Sequence, residues 1–151
     1  MKFMIGYNKD TFLVDTNILI YAYEMQDSMR KIKSQELMEK CWQNKIELAV
    51  SNQNLSEFFS VAVRKRKMNL EQAKTNVEDI INFNGFKKID YTHKTILLAI
   101  DIVNGFQMPF WDSLLAATMK ENNILNIYTE NTRDFKMHWI KSVNPFALKK
   151  F

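Results

Sequence analysis

Apolar residues along this chain gather into short runs that alternate with helically spaced stripes. Phe12-Leu13-Val14 stops at the polar triplet Asp15-Thr16-Asn17, the pattern of a buried strand in a parallel sheet. Ile18 to Tyr23 then reads as the first turns of a helix capped by that triplet. Met29 to Asn44 is amphipathic, with Met29, Ile32, Met38, Cys41 and Trp42 on one face, read as core packing, the alternative being a partly partner-facing surface suited to methionine. Ile46 to Val50 returns to strand character. Ser51-Asn52-Gln53-Asn54 supplies caps for a helix in which Leu55, Phe58, Phe59 and Ala62 repeat at helical spacing. Leu70 to Phe83 predicts a further helix, stopped near Asn84-Gly85 in the manner of a C-terminal cap. Lys87 to Tyr91 is a weak strand, and Lys94 to Asn104 is helical. Gly105 and Pro109 punctuate a loop before a helix over Phe110 to Asn122. Leu125 to Tyr128 reads as the last strand, with an irregular tail from Trp139.

Strands separated by helices predict α/β units wound on a mostly parallel sheet. At 151 residues, 46% of them apolar, the chain suits one core, and residues 1–151 read as one domain. Three Gly and two Pro exclude low complexity and collagen-like repeats. A lone cysteine, Cys41, excludes a disulfide framework and reads as a core residue. His93 and His138, 45 positions apart, form no local zinc motif. No stretch reaches the ~20 apolar residues of a membrane span. The opening Met1 to Gly6 is too soon followed by Asn8, Lys9 and Asp10 for a signal peptide. The expected setting is soluble, reducing and cytoplasmic.

Charge narrows the picture a little. The excess of 21 basic over 17 acidic residues, +4, favours an anionic partner without naming one. Arg64-Lys65-Arg66-Lys67 could grip RNA phosphates, or simply complement the C-terminal end of its helix. Trp111 could stack on a base, or serve as a core or rim aromatic.

The chemistry lies in four acidic residues. Asp15 follows the first strand, Glu57 lies early in the helix after the second, Asp112 opens a later helix, and Asp134 follows the strand at Tyr128. Singly, each has a plainer role as a helix cap, a dipole partner or a solvated surface group. Together they could converge at the carboxyl ends of parallel strands, where ligands of open α/β sheets collect. Converged carboxylates repel one another unless a cation sits among them. With no histidine or cysteine nearby, the set is all oxygen and suits Mg²⁺ or Mn²⁺ rather than Zn²⁺. Such ions serve phosphate chemistry.

These residues resemble a known family. Phe12-Leu13-Val14-Asp15-Thr16-Asn17-Ile18-Leu19-Ile20-Tyr21 is similar to the opening motif of PIN-domain nucleases, and Ser56-Glu57-Phe58 to their second. Phe110-Trp111-Asp112-Ser113-Leu114-Leu115-Ala116-Ala117 resembles the third, and Tyr128-Thr129-Glu130-Asn131-Thr132-Arg133-Asp134-Phe135 the fourth. In length the chain most resembles VapC-type toxins of toxin–antitoxin pairs. The resemblance implies a three-layer α/β/α fold with a mostly parallel central sheet, and a Mg²⁺- or Mn²⁺-dependent endoribonuclease. It implies Asp15 and Asp112 as main metal ligands, completed by Glu57 and Asp134, with Asn131 the alternative to Asp134 in the fourth motif. Asn17 and Thr129, with Asn131 as a polar neighbour, would orient the carboxylates. An RNA substrate, a small antitoxin and a homodimer are implied as partners. The alternatives are a housekeeping RNA-processing nuclease and a catalytically idle module that binds RNA or protein. Residues 1–11 stand as an N-terminal extension, since such proteins commonly begin just before the first strand.

Overall fold

The computed structural model describes residues 10–147, and among them strands and helices alternate in a five-stranded, wholly parallel sheet. Chain order is β1 (Phe12–Val14), α1 (Thr16–Tyr23), α2 (Met29–Trp42), β2 (Leu48–Ser51), α3 (Asn52–Arg64) and α4 (Leu70–Asn82). Then follow β3 (Phe86–Ile89), α5 (His93–Phe106), α6 (Phe110–Glu121), β4 (Asn126–Tyr128), a 3-10 turn (Thr132–Asp134) and β5 (Lys141–Val143). Residues 1–9 of the expected extension lie outside the described residues. No described helix is long and apolar enough to cross a membrane.

The strands are short, and the central β1 and β2 are buried on both faces, so successive residues feed opposite layers. Val14, Leu48, Val50 and Phe86 enter one core, packed with Ile18, Leu19, Leu37 and Phe58 from α1, α2 and α3. Leu13, Ala49, Ile89 and Ile127 enter the other, with Ala99, Leu114, Ala117 and Met119 from α5 and α6. The sheet is thus sandwiched between α1–α4 and the α5–α6 pair, the three-layer arrangement the sequence predicts.

Strand order is β3-β2-β1-β4-β5. From β1 the chain winds one way through β2 and β3, then returns to lay β4 and β5 on β1's other side. That reversal sets a topological switch point between β1 and β4, where a crevice opens at the strands' carboxyl ends.

Three expectations need correction. The tail is not irregular throughout, because Lys141–Val143 pairs in parallel with β4 and forms the sheet's edge. Its three residues, one apolar and two polar, are half exposed, so the burial that makes strands legible is missing. The apolar side of α2 is also rotated from that expected. Ser34, Leu37, Met38 and Cys41 are buried, whereas Met29 and Ile32 stand out at 66% and 46% exposure. Finally, α4 does not end in a glycine cap: Phe83 leaves it in extended backbone. Gly85 is instead a close-approach glycine, since a Cβ there would lie 2.4 Å from the Phe83 ring.

Candidate active site

The carboxyl ends of β1, β2 and β4 launch the segments that carry Asp15, Glu57 and Asp134, while Asp112 comes from α6. Asp15, directly after β1, caps α1, its Oδ1 accepting the Thr16 N–H at 2.8 Å. Its Oδ2 accepts the hydroxyl of buried Thr129, just past β4, at 2.7 Å. Thr129 Oγ1 in turn accepts the Asn131 N–H at 3.0 Å, which fixes the loop leading to Asp134. After β2, Ser51 and Asn54 close a reciprocal capping box that starts α3. Asn54 Nδ2 donates to Thr16 Oγ1 at 3.1 Å, and that hydroxyl donates to Glu57 Oε1 at 3.1 Å. One chain of hydrogen bonds thereby ties α1 to α3 beneath two carboxylates. Pro109 starts α6 and brings Asp112 into its first turn, where the helix dipole favours an anion.

Asp15, Glu57, Asp112 and Asp134 all line one cleft of about 310 Å³, together with Asn17, Gln53 and Asn131. The sequence-derived acidic set is therefore gathered in one place. Burial pushes the Asp15 carboxyl up against the pull of its Thr129 and Thr16 hydrogen bonds, and the charge of Asp134 adds to the rise. Glu57 is also raised, by partial burial and then by the charge of Asp15, while the Thr16 hydroxyl holds it down. Asp112 is pushed up to about 6, first by burial and then by Asp134, Asp15 and Glu57. Asp112 thus feels all three other carboxylates of the cleft.

The cleft suits a hard divalent cation in its donor chemistry. The donors are oxygen alone, their mutual repulsion calls for positive charge, and the buried Asn17 Oδ1 has no partner among the described residues. Among the described residues no three acidic, histidine or cysteine side chains close on a single point. Donor type and charge fit such an ion.

Of the basic run, only Arg66 lines the cleft; Arg64, Lys65 and Lys67 are exposed beyond it. Trp111 is not core but 61% exposed beside the acidic residues. Sequence reasoning missed the group that holds Arg66. Its Nη1 binds Glu24 Oε2 at 3.0 Å, and its guanidinium lies 6.0 Å from the Tyr21 ring centroid. Tyr21 donates to Glu130 at 2.9 Å, and Arg30 pairs with the same carboxylate. Glu130 is thereby engaged outside the acidic set, although it lies within the fourth motif.

The fold and the cleft define a class: a three-layer, all-parallel α/β/α protein with an oxygen-only acidic site at its switch point. The chain belongs to the PIN domain family, whose model matches residues 12–137. No curated protein matches it. Among solved structures it is similar to a toxin–antitoxin complex from Klebsiella pneumoniae, with 18% identity, a TM-score of 0.64, and coverage of 89% of this chain and 97% of that one. VapC20 of Mycobacterium tuberculosis, a sarcin-ricin loop cleaving toxin, is 18% identical with a TM-score of 0.61, covering 85% and 92%. VapBC2 of Rickettsia felis, bound to a DNA fragment from its promoter, is 18% identical with a TM-score of 0.65, covering 89% and 98%.

Proposed function

We propose that this protein is a Mg²⁺- or Mn²⁺-dependent endoribonuclease and the toxin of a toxin–antitoxin pair. The observation that carries the reading is the convergence of Asp15, Glu57, Asp112 and Asp134, from four separate segments, on one cleft of a PIN domain. Asp15 and Asp112 would be the main metal ligands, with Glu57 and Asp134 completing the pocket. A divalent ion bound there would supply charge neutralisation at the scissile phosphate and acidify water. Thr129 and the Thr16 N–H hold Asp15 in orientation, and Thr16 Oγ1 does the same for Glu57. Arg66, braced on Glu24 and Tyr21, offers its remaining donors to a phosphate entering the cleft.

The likeness to solved toxin–antitoxin complexes supports an antitoxin as partner, and the homodimer stays what the family resemblance implies. The decisive experiment incubates the purified chain with structured RNA in Mg²⁺, Mn²⁺, Zn²⁺ or chelator. Cleavage is expected in the first two, abolished by chelator and by Asp15→Asn or Asp112→Asn. The parent should also melt at higher temperature in Mn²⁺, and the two variants should not. Activity restored by Zn²⁺ alone, or variants that cleave like the parent, would overturn the metal site. RNA binding without cleavage in any metal would favour the idle module.

A further inference from the structure

Beside the acidic cleft lies a second pocket, of about 610 Å³, lined by Asn52, Gln53, Ser56, Glu57, Asp90, Tyr91 and Trp111. Gln53 and Glu57 are common to both, so the two cavities share a wall. Their chemistry differs. The acidic cleft is lined mostly by polar groups, whereas this pocket offers two aromatic rings, two carboxylates and three neutral side chains, of which Gln53 and Ser56 already spend donors on backbone carbonyls.

Trp111 is the unusual member. A tryptophan 61% exposed forgoes much of the burial that normally places it. Yet its position is fixed. Phe110 meets its ring edge-on at 5.2 Å, and Gln53 Nε2 donates to its backbone carbonyl at 3.1 Å from across the pocket. The ring is therefore held by its neighbours while much of its surface stays open. Tyr91 and Asp90 come from the carboxyl end of β3, and Asp90 Oδ1 accepts the Tyr91 N–H at 2.8 Å. That bond holds the carboxylate in the loop and leaves its other oxygen without a hydrogen-bond partner in this turn.

We propose that this pocket receives one unpaired nucleobase of the RNA, adjacent to the phosphate held in the acidic cleft, and that it selects bases by their hydrogen-bond donors. The inference rests on the nuclease reading of the neighbouring cleft. Base-on-aromatic stacking tolerates any base, because each has a π-face. Selection comes from the walls. Asp90 is a carboxylate that only accepts hydrogen bonds, and Glu57 on the shared wall is engaged by Thr16 and the acidic cleft. Guanine presents its N1–H and N2 amino donors side by side and can pair with one carboxylate through both. Cytosine and adenine present an amino group. Uracil presents one N–H flanked by two carbonyl oxygens, which face repulsion from a carboxylate. The expected order is guanine first, cytosine and adenine next, and uracil last. A base flipped into such a pocket must be unstacked, so the target is a loop or single strand rather than a duplex.

The test uses the full chain in chelator, so that binding is read without cleavage. Five-nucleotide RNAs with a uridine background and one variable central base are titrated by fluorescence anisotropy. The parent should bind the guanine probe more tightly than the all-uridine probe. Trp111→Ala should weaken the guanine probe about tenfold, and Trp111→Phe should recover most of that loss. Asp90→Asn should narrow the guanine-over-uridine ratio while binding of the all-uridine probe holds or improves. Equal affinity of Trp111→Ala and parent, or an unchanged base preference in Asp90→Asn, would overturn the proposal. Cleavage assays separate the two readings. If these binding effects appear and no metal supports cleavage, the nuclease reading fails and the base pocket stands. If cleavage occurs and neither substitution shifts binding or cleavage position, the pocket fails and the nuclease stands.

Discussion

Thr129 donates its hydroxyl to Asp15 Oδ2 at 2.7 Å, joining residues 114 positions apart across the seam between β4 and β1. The hydroxyl is fully buried and also accepts the Asn131 N–H, so a single side chain orients a carboxylate and a loop. Thr129→Val keeps the shape and removes both bonds. It should cost about 1–3 kcal/mol, read as a lower denaturant midpoint at unchanged slope, with Thr129→Ser close to the parent. Because the Thr129 bond holds Asp15 down, its loss should raise that carboxyl further.

Asp112 makes stability depend on pH in a defined direction. Its folded pKa, about 6, lies above the unfolded value near 4, so the folded chain holds this proton more tightly. The stability it contributes is complete below pH ~4 and is lost as pH rises through about 6. Asp112→Asn should therefore be more stable than the metal-free parent at pH 7, by about 1 kcal/mol once solvent screening of this half-exposed group is allowed for. The gap should shrink toward pH 4.5. A gap that ignores pH would place the cause outside this carboxyl.

Asn54 has two tasks: its Oδ1 completes the α3 capping box, and its Nδ2 supports Thr16 beneath Glu57. Asn54→Ala should cost about 1–2 kcal/mol from the lost cap. If the Thr16 link matters to the site, cleavage should fall further than the lost folded fraction explains. Activity that follows stability alone would reduce Asn54 to a cap.

Arg66→Ala removes a cation from the cleft, while its exposed pairing with Glu24 is worth less than about 1 kcal/mol of stability. RNA binding should weaken, and the salt dependence of its logarithm should lose about one phosphate contact. Lys67→Ala, outside the cleft, should change that slope less.

Much of this was legible in the chain, and the unread parts share a reason. Val14 followed by Asp15, and Ser51 opening α3, are local signals in which apolar runs meet capping residues, so strands, helices and the acidic set could be placed. The edge strand Lys141–Val143 could not, because partnership with β4 and not its own burial makes it a strand. The turn of α2 that exposes Met29 and Ile32 was equally hidden, since 3.6-residue periodicity marks a stripe without saying which edge of it faces the core. Arg66 on Tyr21, Asn54 on Thr16 and Gln53 on the Trp111 carbonyl are contacts between distant segments. Nothing in local spacing encodes them.

The division of the interior into two layers has a mechanical consequence. Asp15 and Glu57 ride on helices seated in one core, while Asp112 rides on α6, seated in the other. The gap between these carboxylates is thus a gauge across the sheet, read from two interiors that meet at the shared strands. A misfit substitution at Phe58 moves one jaw of that gauge, and one at Ala117 moves the other. If the cleft holds the proposed metal, its ion selectivity, which depends on ligand spacing, would drift before the protein lost its fold, so suppressors of a damaged site are to be sought in the opposite layer.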